Sequence, residues 1–266
     1  MAEPTYLRYV ALGDSFTEGV GDPDLSRPNG VRGWADRVAE ALATKSDDFR
    51  YANLAIRGRK LQPILDEQVG AALDLKPDLV TLSAGGNDLL RPKVDIDTLV
   101  DSLTTSVEQL RRSGATITLF THGDGGSSGV FGAIRGRVAV FNELIREYVD
   151  AHDEVVLVDN WRLRDGRDLR VWDEDRLHLN PIGHQGIAIN VLDTLGVSHD
   201  LQPYPIPEGP LKSRADVRRE NAEWARKHLA PWVGRRLRRA SSGDGMSPKF
   251  ATWTPITTPA TAPVAP

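Results

Sequence analysis

Residues 7–19 read Leu-Arg-Tyr-Val-Ala-Leu-Gly-Asp-Ser-Phe-Thr-Glu-Gly. An apolar run over Leu7–Leu12 stops abruptly at Gly13-Asp14-Ser15, and a turn-rich stretch follows up to Gly33. This layout predicts a buried strand with a small hydroxyl residue just past its C-terminal end. In open α/β sheets that rim is where ligands bind. Ser15 is therefore a candidate nucleophile. Taken alone, the same three residues also describe a strand-to-helix turn with a capping serine.

Working outward, the chain alternates. Apolar positions Trp34, Ala35, Val38 and Leu42 recur at helical spacing, and a short strand is predicted at 50–54. A helix over 61–75 carries the stripe Leu61, Ile64, Leu65, Val69 and Leu73. It is broken by Pro77-Asp78, and the β-rich run Leu79-Val80-Thr81-Leu82-Ser83 follows. A helix over 97–113, with Asp97 as its cap, leads to a strand over 116–121. A helix over 133–150 and a strand over 155–159 come next, then a charged loop and a last helix opened by Pro181. Five strand–helix alternations with short connections predict a doubly wound, three-layer α/β/α sandwich around a five-stranded parallel sheet, flavodoxin-like in layout. The motifs after the first three strands would share one rim.

The chain has 266 residues, no cysteine and a net charge of −4. Disulfides, thiolate metal sites and a cysteine nucleophile are thereby excluded. The N-terminal residues carry no basic-then-apolar leader, and no window approaches the length of a membrane span. A cytoplasmic protein without stable membrane insertion is expected. The net charge hides an asymmetry. Residues 1–210 hold 22 Lys and Arg against 33 Asp and Glu, whereas residues 211–239 hold 10 against 3. Three units are expected: a catalytic domain over 1–199, a Pro-rich strap with a basic amphipathic helix over 200–239, and a disordered Pro/Thr/Ala-rich tail over 240–266. The basic helix is expected to dock on the acidic body or on a second subunit. No nucleic-acid module is recognisable.

Four blocks stand in order: Gly13-Asp14-Ser15, Gly58 after the second strand, Gly86-Asn87-Asp88 after the third, and Asp175-Arg176-Leu177-His178. With Gly33-Trp34-Ala35-Asp36-Arg37 and His178-Leu179-Asn180-Pro181-Ile182-Gly183-His184 flanking them, this pattern resembles the SGNH-hydrolase (GDSL) superfamily of esterases and lipases, over about residues 5–197. A serine hydroxyl needs an adjacent base to attack, and His178 is of the right type. Asp175, Asp173 and Glu174 are all placed to orient that base, and the family's Asp-x-x-His spacing points to Asp175. The resemblance further implies an oxyanion hole from Ser15 N–H, Gly58 N–H and the Asn87 amide, and an acyl-enzyme on Ser15. Asp14, Asp88 and His184 read as supporting residues, and His122 as either a pocket residue or an ordinary loop residue.

The implied activity is hydrolysis of small or short-chain acyl esters, with no cofactor. Two other readings remain open: a catalytically silent carbohydrate- or lipid-binding module, and an acyltransferase or thioesterase on the same scaffold. The acids of 165–173 are interleaved with arginines and read as ion pairs. No metal site is expected there.

Overall fold

A computed structural model describes residues 3–127, 129–208, 214–231, 234 and 241–256 of the chain. Its strands are β1 (Arg8–Gly13), β2 (Arg50–Asn53), β3 (Leu79–Ser83), β4 (Thr116–Thr121), β5 (Val155–Asp159) and β6 (Phe250–Thr254). They lie in the order β5-β4-β3-β1-β2-β6, the first five parallel and β6 antiparallel to β2. All five side chains of β3 are buried. A strand covered on both faces reads as a continuous apolar run for this reason.

Two layers cover the sheet. On one face α2 (Gly33–Ala43) packs against α8 (Pro181–Leu195), and Trp34, Val38, Val191 and Leu192 are buried between them and the strands. The other face holds α6 (Ile96–Arg111), α7 (Gly129–Asp150) and a helix running from Leu61 to Leu75, with Ile64, Leu103, Phe141 and Ile145 in its core. That last helix is α3 (Leu61–Ile64) and α4 (Gly70–Leu75), joined by a π turn over Leu65–Val69. Two short helices close the loops at the rim, α1 (Ser15–Glu18) and α5 (Gly86–Leu89).

Three expectations are corrected. The cap of α6 is Asp95, which accepts from Thr98 N, not Asp97. The sheet has six strands rather than five. The sixth lies inside the segment expected to be a disordered tail. Lys249 enters the core just ahead of it: its Nζ and the Asp36 carboxylate form a 2.8 Å ion pair, both side chains fully buried. Trp253 Nε1 then donates to Leu75 O at 3.1 Å. Side-chain contacts of this kind outweigh the low strand preference of a Pro- and Ala-rich composition. Residues 257–266 of that tail lie outside the described residues. The basic helix is present as α9 (Arg214–Trp224), continued by a π turn to Leu229. Among the described residues, no helix is long and apolar enough to cross a membrane.

Candidate active site

β1 is flanked by β3 on one side and β2 on the other, so the chain reverses its direction of travel across the sheet there. The switch point opens a crevice at the strands' C-terminal ends. Ser15 follows β1, Asn87 follows β3 and Gly58 follows β2, and all three line one cavity of about 580 Å³ together with His178 and Asp175.

Ser15, the candidate nucleophile, is anchored from below. Phe16 packs on Trp34 and Phe120, with ring centroids 5.5 and 6.2 Å away. Asp14 caps α1, its Oδ1 accepting from Phe16 N at 3.1 Å. Ser15 Oγ donates to His178 Nε2 at 3.0 Å, and His178 Nδ1 donates to Asp175 Oδ2 at 2.6 Å. The other Asp175 oxygen accepts from the backbone N–H groups of Leu177 and His178. The hydrogen bonds and the imidazole beside it hold the Asp175 carboxyl down at about 2, against the opposing effect of burial. It is thus an anion over the whole working pH range. Of the three acids that spacing left open, Asp175 meets the imidazole, and Glu174 instead pairs with Lys227.

The supporting residues have separate tasks. Asn87 donates both amide hydrogens, one to Asp14 Oδ2 and one to Arg59 O, each at 2.9 Å. Burial pushes the Asp14 carboxyl up to about 6. Asp88 caps α3, accepting from Leu61 N at 2.7 Å. His184 is fully buried. Its Nδ1 accepts from Trp34 N and its Nε2 donates to Val20 O, which ties α8 to the start of α2 and to the loop behind Ser15. Burial lowers its pKa to about 4, so it is a neutral structural imidazole. His122 lines the cavity, stacked on Phe141 at 5.1 Å, and burial likewise lowers it to about 4.

Two residues that motif reading passed over hold the backbone of the site. Gln68, on the π turn, clamps Gly13 from both sides: Gly13 N donates to its Oε1 at 2.8 Å, and its Nε2 donates to Gly13 O at 2.9 Å. A π turn shifts side-chain phase and is frequent at functional sites. Position 68 falls on the apolar stripe four residues after Ile64, and a polar residue on that stripe was the available signal. Glu18 is fully buried, and its carboxylate accepts from Arg57 N at 2.6 Å as well as from the Arg57 guanidinium. It thereby fixes the residue preceding Gly58. Gly58 has φ +75°, and a Cβ there would run into the hydroxyl of Ser241. The left-handed backbone is what favours glycine at 58.

In the charged loop Asp168 pairs with Arg170, and Arg167 of the same loop joins Arg135 on the buried Asp124, which follows β4. Among the described residues, no group of three or more His, Asp or Glu side chains is arranged to hold a metal.

Residues 11–185 match the GDSL-like Lipase/Acylhydrolase family. Among curated proteins, the spore germination lipase LipC of Bacillus licheniformis is 32% identical over 85 residues, covering 32% of this chain and 40% of that protein. The uncharacterized protein YpmR of Bacillus subtilis is 32% identical over 94 residues, covering 32% of this chain and 33% of that protein. The alignments therefore span two fifths or less of these relatives' length. Among solved structures, the acetylxylan esterase Axe2 of Geobacillus stearothermophilus superposes with a TM-score of 0.61 at 19% identity, over 74% of this chain and 98% of Axe2. LAE5, a hydrolase from the metagenome of Lake Arreo in Spain, gives 0.58 at 23% identity, over 71% and 94%. These share the fold. The match over 11–185 assigns the chain to the GDSL-like lipase/acylhydrolase family.

Proposed function

From this family membership we propose that the protein is a serine ester hydrolase that forms an acyl-enzyme on Ser15. The observation that carries the proposal is the unbroken relay Ser15 Oγ–His178–Asp175, with contacts of 3.0 and 2.6 Å. His178 Nε2 takes the hydroxyl proton as Ser15 Oγ attacks the ester carbonyl, then returns it to the leaving alcohol. Water repeats the sequence to release the acid. Asp175 holds the ring in the tautomer that leaves Nε2 free to accept, and stabilises the imidazolium that forms.

The developing oxyanion would be met by Ser15 N–H, Gly58 N–H and the Asn87 amide. The Asn87 hydrogens already have acceptors, so its contribution is a shared, three-centre hydrogen bond that strengthens as charge builds on the substrate oxygen. A cavity of about 580 Å³, with Phe16, Leu89, Ile134 and Val138 in its lining, is compatible with small and short-chain acyl groups. The test is labelling by a fluorophosphonate, alongside hydrolysis of p-nitrophenyl esters of increasing acyl length. Wild-type protein should label and turn over, Ser15→Ala should do neither, and Asp175→Asn should lose about 10⁴ in kcat. An active Ser15→Ala variant would refute the assignment.

A further inference from the structure

The C-terminal arm lies beyond the residues that match the family, yet its described parts touch both loops that carry the chemistry. α9 and its π turn pack on the acid–base turn. Trp224 Nε1 donates to Asp175 O at 3.0 Å, Arg176 sits over the Trp224 ring at 5.2 Å, and Arg176 donates to Asn221 Oδ1 at 2.6 Å. Lys227 pairs with Glu174 at 2.7 Å. Arg176 has φ +54°, a left-handed backbone that a non-glycine residue adopts at some cost, and α9 braces it from outside. Further on, Ser241 and Ser242 pack against Gly58, and Gly243 packs against Arg57 O. Lys227, His228, Ser241 and Ser242 all line the catalytic cavity.

We propose that this arm is the leaving-group wall of the site and selects esters of polar, hydroxyl-bearing alcohols, with Trp224 as a positioning residue for the acid–base turn. The inference rests on the ester-hydrolase reading above. Its geometry follows from proton transfer. The imidazole that returns a proton to the departing oxygen must lie beside that oxygen. The alcohol therefore leaves on the His178 side, which is the side α9 covers. On that side α9 and its π turn contribute the Lys227 ammonium and the His228 imidazole, while Ser241 and Ser242 border the cavity at Gly58. The body contributes aliphatic side chains such as Leu89, Ile134 and Val138. An apolar acyl group suits the body, and a hydrogen-bonding alcohol suits the arm.

The experiment uses the full chain and two series of substrates. One series holds acetyl constant and varies the alcohol from n-hexanol to glycerol to methyl xyloside. The other holds p-nitrophenol constant and varies the acyl length. Lys227→Ala/His228→Ala removes two side chains at the solvent edge of the wall. It should raise KM for the glycerol and xyloside acetates about tenfold, the loss of a charge-assisted hydrogen bond, and leave the rank order of acyl lengths as it is. Trp224→Phe keeps the ring under Arg176 and deletes only the N–H donor. It should lower kcat about fivefold on every ester, with KM and Tm unchanged.

An altered acyl order with an unchanged alcohol preference would place the arm on the other side of the ester and overturn the proposal. So would a double variant that folds and keeps the wild-type alcohol preference. An unchanged kcat in Trp224→Phe would remove Trp224 from the account. Wild-type protein that fails to label with a fluorophosphonate would instead refute the hydrolase reading itself, so the two failures are distinguishable.

Discussion

At the scale of single residues, Ser15, His178 and Asp175 form the candidate relay, and Gln68 and Glu18 hold the backbone around it. Acyl transfer needs a hydroxyl, an imidazole and a carboxylate, so Ser15, His178 and Asp175 stand out by type and spacing. Gln68 and Glu18 serve backbone amides, and no pattern in a chain says which amide a side chain will reach. Their roles are measurable. Asn87→Ala should lower kcat by about 10²–10³ with little change in KM, since an oxyanion donor acts in the transition state. A loss carried by KM instead would make Asn87 a ground-state binding residue. Gln68→Leu leaves the buried N–H of Gly13 without its side-chain acceptor, at about 1–3 kcal/mol, and leaves Gly13 O with the 3.3 Å bond from Ile56 N. Urea unfolding of this variant should show a midpoint well below wild type, and kcat should fall as the Gly13-Asp14-Ser15 turn loosens. A midpoint equal to wild type would mean that the clamp is dispensable.

Among the elements, β1, β3 and β4 were readable because they are buried along nearly their whole length. β6 was not. It is an edge strand of five residues, set between Pro248 and Pro255 in a tail whose composition reads as unstructured. Its anchorage comes from side chains distant in sequence. Lys249 Nζ meets Asp36, Val31 O and Arg32 O, and Tyr51 OH donates to the second Asp36 oxygen. A buried pair of this kind is costly to break from one side. Lys249→Met should destabilise the protein by about 3–5 kcal/mol, because it strands the Asp36 carboxylate in the core. Asp36→Asn/Lys249→Met, which keeps an acceptor for Tyr51, should recover most of that loss. A single variant within about 0.5 kcal/mol of wild type, on the scale of an ordinary surface substitution, would show that the pair does not anchor the arm.

For the molecule as a whole, the buried titratable groups set how stability follows pH, and they act in opposite directions. His184 takes up a proton at about 6.5 in the unfolded chain and only at about 4 when folded. Between those values the unfolded state binds more protons, so stability falls as pH falls. His122, lowered to about 4 by burial, acts in the same sense. Asp14 opposes them. Its carboxyl is raised from 3.8 to about 6 by burial, so the folded state binds the extra proton and stability rises as pH drops through that window. The two histidines therefore weaken the fold between about pH 6.5 and 4, Asp14 returns on the order of 3 kcal/mol of that loss, and the carboxyls of Asp36 and Asp88, which burial also raises, act with it. The net decline should steepen below 4, where Asp175, held at about 2 in the fold, loses its charge. Asp14→Asn retains a capping side chain and removes one opposing group, so the decline should steepen. His184→Gln should flatten it. Thermal melts of the three proteins at pH 7 and 4.5 separate these effects, and identical Tm differences in all three would refute the assignment of the acid response to these groups.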